Sequence, residues 1–217
     1  MNRFELAIDE SARKMFFPNE RIKTKRKILE ILLESCRYIL YNELSENIRS
    51  GEKIVFKNDK MSRLFFVSAT KVYSIIFPFN IYQERGETKI NYRNLVDIDS
   101  QTISNLISFL KNPANQSEDC YDFIEPITQF EKPQQSLCWI VLNHLFFSED
   151  GYIRYDNDPI GHAQALEKNA EHRHPLYHLD IFYSTQATFK LGIERAIIDK
   201  EIVDLMNTTT DCKYIKF

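Results

Sequence analysis

The sequence predicts an α+β protein: a mainly antiparallel sheet with a long N-terminal helix, a middle helix and a C-terminal helix. Apolar residues recur at spacings of three and four over 20–48, 100–112 and 197–207, the period of a one-sided helix. Short runs rich in β-branched and aromatic residues occupy 53–93 and 152–193. Two of these runs flank Glu84-Arg85-Gly86-Glu87, a hairpin signal with Gly86 in the turn.

Element by element, residues 20–48 carry Ile28, Leu32, Cys36, Ile39, Leu40 and Leu44 on one face. Asn19 is the expected cap, Pro18 sits just before it and Gly51 follows the end. Strands are expected at 54–57, 63–68, 72–77, 80–83 and 89–92. The middle helix places Ile103, Leu106, Ile107 and Leu110 together, with Asp99 or Ser100 as cap and Pro113 beyond it. Residues 138–147 fit either element: Trp139, Val141 and Leu145 suit a strand, while Leu137, Val141 and Leu145 suit a helix. The turn 148–151 then leads into a strand at 152–155. Strands at 176–183 and 188–193 follow, joined by Ser184-Thr185-Gln186. Ile198, Ile202 and Leu205 share one side of the last helix. One domain is expected, with a subdivision into 1–112 and 136–217 across the Pro-containing connection 113–135.

The 217 residues hold 28 Lys+Arg against 31 Asp+Glu, a net charge of -3. That balance excludes a chain that coats nucleic acid by bulk charge and leaves room for a local basic patch. Hydrophobic residues at 43% and charged residues at 27% exclude global disorder. Cys36, Cys120, Cys138 and Cys212 form no CxxC pair, so neither a zinc ribbon nor a disulfide framework is expected. Glu5, Asp9 and Glu10 interrupt any apolar leader, and no run is long enough to span a membrane. A cytoplasmic protein with reduced thiols is the expectation.

Several standard chemistries are missing. None of the five glycines builds GxGxxG or GxxxxGK[ST], and neither GxSxG nor HExxH occurs. Glu87-Thr88-Lys89 has the (D/E)xK form of metal-dependent nucleases, but residues 61–83 supply no preceding acid. The histidines are more informative. His144, His162, His172, His174 and His178 all fall in the last third, and four lie between 162 and 178. Arg154, Asp156, Asp158, Arg173, Tyr177 and Asp180 accompany them, and Lys190 follows.

Imidazole gives and takes a proton near neutral pH. Two histidines with an Arg or Tyr can cleave RNA without metal: one takes the 2′-hydroxyl proton, the other protonates the leaving oxygen, and Arg offsets phosphate charge. On a strand, Leu176, His178, Asp180 and Phe182 share one face. Tyr177, Leu179, Ile181 and Tyr183 share the other, expected to pack inward, so that His178 and Asp180 point into solvent or a cleft. The same residues also suit structural polar packing or a bound metal. A second feature is basic: Arg21, Lys23, Lys25, Arg26 and Lys27 crowd the start of the first helix, as a solvated helix end or a phosphate-contacting patch.

The segment Arg173-His174-Pro175-Leu176-Tyr177-His178-Leu179-Asp180-Ile181, followed by Thr188-Phe189-Lys190-Leu191-Gly192-Ile193 and an apolar helix, resembles the C-terminal part of the bacterial domain of unknown function 2290 family. The resemblance covers about the last third of the chain. Tyr155-Asp156-Asn157-Asp158-Pro159 and the His-rich stretch are similar, more weakly, to TumE-type toxins. Arg173 and His178 also match the R-x4-H spacing of HEPN-type ribonucleases, although Pro175 interrupts the helix on which that motif sits. The first two resemblances imply a setting in toxin–antitoxin or phage-defence systems.

The leading expectation is therefore a bacterial conflict protein acting on nucleic acid or nucleotides as a metal-independent ribonuclease or phosphodiesterase. His174 and His178 would be acid and base, Arg173 the phosphate clamp, Asp180 or Asp156 the group orienting an imidazole, and Tyr177 a further catalytic side chain. Arg154, Asp158, His162, His172 and Lys190 would contact substrate. No cofactor or metal is assigned. The competing expectation is a non-catalytic adaptor or antitoxin-like subunit whose His-rich edge binds a protein encoded nearby or a second copy of the chain.

Overall fold

A computed structural model describes residues 2–49, 51–58, 60–112, 133–182 and 188–214, and the side chains of 133–136 are outside that description. Of the expected connection 113–135, residues 113–132, with Pro113, Pro126 and Cys120, lie outside the described residues, as does the 184–186 link, while 133–135 are not connection but the start of a helix, Pro133–Phe147. The fold is α+β: six α-helices among the described residues accompany a mainly antiparallel sheet of seven strands. Two compact units interleave along the chain. One comprises 2–13, 44–76 and 151–217, the other 14–43 and 77–150.

The first unit holds the large sheet. Its strands are β1 (Arg3–Ala7), β2 (Lys53–Asn58), β3 (Ser62–Val67), β4 (Lys71–Ile76), β8 (Ile153–Asn157), β9 (Tyr177–Phe182) and β10 (Thr188–Ile193), in that spatial order. Every pairing is antiparallel. β2 and β3 are buried on both faces, which is why they read as continuous apolar runs rather than alternating ones. One face carries the cluster of Val55, Phe65, Val67, Val72, Tyr155 and Leu179, covered by Ile202 and Val203 of the last helix, α6 (Asp199–Leu205). The opposite face carries aromatic rings. Phe66 stacks on Tyr73, Tyr73 meets Tyr152 edge-on, and Tyr152 lies against Phe182 at 4.4 Å between centroids.

The second unit holds α2 (Lys25–Tyr41), α3 (Ser100–Lys111), α4 (Pro133–Phe147) and the small sheet β5 (Asn80–Glu84), β6 (Glu87–Tyr92) and β7 (Val96–Asp97). The expected hairpin is present, with Arg85 and Gly86 both at positive φ, as a two-residue loop of this hand requires. Asp99 caps α3 by accepting from Thr102 N at 2.7 Å. The ambiguous 138–147 segment is helical, part of α4.

Several expectations need correction. The first long helix runs over 25–41, not 20–48, because Thr24 is its cap, accepting from Lys27 N, and Asn42 turns the backbone extended. β1 and the helix α1 (Glu10–Phe16), started by the Asp9 carboxylate on Ala12 N, precede it. They are too short to carry a periodic signal. Also unexpected is α5 (Pro159–Leu166), which buries no side chain and so has no apolar stripe to read.

The sheet's covered face depends on Phe65, 1% exposed beneath α6. Phe65→Ala is expected to lower unfolding free energy by about 3–5 kcal/mol, read from urea melts at constant m-value.

Candidate functional site

Register on three neighbouring strands assembles the site. β8 sets Arg154 opposite Asp180 and Asp156 opposite His178, and β10 sets Lys190 opposite Asp180 and Gly192 opposite His178. Directly opposed residues share a face, so Arg154, Asp156, His178, Asp180 and Lys190 emerge together. Arg154 Nε donates to Asp156 Oδ2 at 2.6 Å, and its Nη2 donates to Asp180 Oδ2. The guanidinium also lies over the Phe182 ring. His178 Nδ1 donates to the Pro175 carbonyl at 2.8 Å, which leaves Nε2 as an acceptor. Lys190 Nζ donates to that Nε2 at 2.7 Å. The ammonium also lies 2.8 Å from Asp180 Oδ1, an oxygen that accepts no aligned hydrogen bond.

This group is buried. Asp180 is 0% exposed and His178 1%, while the Lys190 side chain retains 25%. Burial, reinforced by the Lys190 ammonium, pushes the His178 imidazole below its ordinary value, against the pull of the Pro175 carbonyl and the two aspartates. Burial alone would raise Asp180, but the adjoining Lys190 and Arg154 charges outweigh it and hold the carboxyl below the usual range. Burial likewise pushes the Tyr152 hydroxyl up to about 12.

A second constellation adjoins the first. Asp158 caps α5: its Oδ1 accepts from Gly161 N at 2.8 Å, and its Oδ2 is bonded to His174 Nε2 at 2.9 Å. His162 Nδ1 donates to the His174 carbonyl at 2.8 Å. A 3-10 turn, Glu171–Arg173, delivers His174, whose ring lies edge-on to His178 with centroids 5.0 Å apart. The His174 side chain is 29% exposed, so this imidazole, unlike His178, meets solvent. Burial would raise Asp158, yet the Gly161 N–H and His174 together hold it below the usual carboxylate range. Gly161 leaves the Asp158–His174 contact undisturbed: a Cβ there would lie 2.5 Å from both Asp158 Oδ2 and His174 Nε2 and would push those side-chain ends apart.

Of the expected residues, the structure brings together Arg154, Asp156, Asp158, His162, His174, His178, Asp180 and Lys190. His172 and Arg173 sit exposed on the 3-10 turn, so Arg173 and His178 share no helix and the R-x4-H spacing is coincidental. Tyr177 takes the inward face that the strand alternation gives it, packed against the apolar cluster, so its assignment as a catalytic side chain is corrected. The expectation that His178 and Asp180 face solvent or a cleft is also corrected. Their face is the more buried one, because neighbouring strands supply the opposite charges.

His144 lies on α4 beside Tyr92. In the basic patch, Lys25 pairs with Asp150, Arg26 donates to the Leu110 carbonyl and Lys27 pairs with Glu30. Arg21 and Lys23 are exposed ahead of the helix. Glu87 and Lys89 pair with each other. Phe182 stands on the face the alternation gives it, beside Arg154, whereas the Pro175 carbonyl and Gly161 were not read as parts of the site. A Gly two residues into a helix that starts Asp-Pro was the one available signal.

Compared with known proteins, the chain matches no family model, no curated protein and no solved structure. The site is therefore read from its own geometry.

Arg154 is the shared counter-charge of two buried carboxylates. Arg154→Met is expected to cost about 3–5 kcal/mol of stability in urea melts, since both acids lose their partner. A pH effect follows from His178. Its folded pKa lies below the unfolded value of 6.5, so between the two the unfolded chain binds a proton that the folded chain refuses. Stability is full above pH 6.5 and falls as pH drops through that window. The losses from Asp158 and Asp180 come only below their ordinary value of 3.8. His178→Gln is expected to flatten the upper part of the urea-midpoint profile and leave the acid limb.

Proposed function

We propose that this chain is a bacterial conflict protein that cleaves phosphodiester linkages in RNA or nucleotides by acid–base chemistry, with His174 as the proton-transferring group. The observation that carries the reading is the His174–Asp158 pair. It is a solvent-reachable imidazole oriented by a carboxylate, beside a second imidazole that is bonded to the Lys190 ammonium. Asp158 fixes the ring by bonding Nε2 and stabilises the imidazolium once a proton is taken. Lys190, the partly exposed member of the buried group, meets the phosphate and offsets its charge. Arg173, exposed next to His174 in the chain, adds a guanidinium for the same oxyanion. Arg154, Asp156, His178 and Asp180 are positioning residues, too enclosed to touch a polymer. The conflict-system setting rests on the resemblance of residues 173–193.

A non-catalytic adaptor is the second reading. It is favoured by the way Arg154, Asp156, His178, Asp180 and Lys190 already satisfy one another's charges.

Labelled RNA incubated with the purified chain in EDTA separates the two. Cleavage is expected to persist in EDTA and to fall about 10²–10⁴-fold in His174→Ala, the usual worth of one proton transfer. Gly161→Ala, which pushes His174 and Asp158 apart at the ends of their side chains, is expected to lower cleavage while urea stability changes little. No cleavage by the unaltered chain, with stable capture of a genetically neighbouring protein, selects the adaptor.

A further inference from the structure

We propose that Asp156, His178 and Asp180 bind one divalent transition-metal ion, of the Zn²⁺ class, at the position now filled by the Lys190 ammonium. One ligand atom from each of the three residues lies within 4.8 Å of the other two, and all three residues are buried. His178 Nε2 is 3.6 Å from Asp156 Oδ2 and 4.0 Å from Asp180 Oδ1. Zinc bonds of about 2.0–2.1 Å in a tetrahedron set ligands roughly 3.3 Å apart, so small side-chain rotations close the set.

The imidazole is already in the ligating tautomer. Nδ1–H is tied to the Pro175 carbonyl, and the Nε2 lone pair faces the carboxylates, the outer-shell arrangement typical of metal-bound histidine. Asp180 Oδ1 belongs to a wholly buried side chain, and its partner is a cation, the Lys190 ammonium at 2.8 Å, at the spot the ion would take. Arg154 holds both carboxylates in place through their Oδ2 atoms; on Asp180 this leaves Oδ1 for the ion, while Asp156 Oδ2, the oxygen nearest His178 Nε2, would be shared between the guanidinium and the ion.

Lys190 is the residue that yields. It stands on the edge strand β10, its side chain is partly exposed, and its Nζ sits between Nε2 and Oδ1 as a cation would. With a neutral imidazole, Arg154 and Lys190 together balance the two aspartates. A dication in place of the ammonium leaves the site at a formal +1, which a bound hydroxide or an oxyanion offsets. One nitrogen and two carboxylate oxygens suit Zn²⁺ or Mn²⁺, with Zn²⁺ the tighter binder. The site is separate from the His174–Asp158 pair assigned to proton transfer, but it would displace Lys190, the ammonium assigned to the phosphate.

The test is titration of the chelator-stripped full chain with ZnCl₂, followed by calorimetry and by thermal melting. Binding of one ion per chain with a rise in Tm is expected. Lys190→Met, which leaves no ammonium to displace, is expected to bind about tenfold tighter or more, while His178→Gln and Asp180→Asn each weaken binding by at least about that factor. His174→Ala serves as the control for adventitious imidazole binding and is expected to bind as the unaltered chain does.

Absence of saturable binding in both the unaltered chain and Lys190→Met overturns the site, as does equal affinity in those two. Binding that survives both His178→Gln and Asp180→Asn overturns it as well. If those two variants fail to fold, the Lys190→Met comparison alone decides. Zinc binding without RNA cleavage would remove the hydrolytic reading and keep this site, and the reverse result would do the opposite.

Discussion

A carboxylate with no solvent contact must find its counter-charges inside the fold, and Asp180 imposes that demand on one end of the large sheet. Arg154 answers from β8 and Lys190 from β10, so three strands are held in one relative register by charge as well as by backbone hydrogen bonds. A slip of one residue in either pairing would turn Arg154 or Lys190 toward the apolar cluster beneath α6. The opposite face of the same strands enforces the same register through Tyr155 and Leu179. Polar and apolar requirements therefore agree, which favours a single native arrangement over nearby alternatives.

The histidines divide into two kinds because their surroundings differ. His178 is enclosed, tied through Nδ1 to its own turn and through Nε2 to an ammonium, and kept neutral. His174 sits at the rim, bonded to an ionised Asp158 that also caps a helix. Asp158 thus couples the start of α5 to the ring of His174, and its backbone N–H donates to the Leu176 carbonyl, binding the turn to the start of β9. Gly161 leaves room for that contact. The two rings lie with centroids 5.0 Å apart, yet one is enclosed and the other, beside a carboxylate, meets solvent.

The sequence alone determined the elements with strong periodicity or turn chemistry. The strands of 53–92, the hairpin at Gly86, the helix capped by Asp99 and the strand bearing His178 were legible because local propensity and burial pattern coincide there. The identity of the site cluster was legible too, because His, Asp and Arg residues concentrate in one stretch. Tertiary structure decided which of those residues meet. Alternation along β9 placed His178 and Asp180 on a common face, but only pairing with β8 and β10 made that face the buried one, since burial there depends on cations contributed by residues 154 and 190. Tyr177 took the inward face that alternation gives it, and Arg173, on the turn ahead of β9, stayed at the surface. A single strand's pattern fixes which side chains share a side. Which side becomes interior depends on what the neighbouring strands and helices bring to it, and that is a property of the assembled sheet.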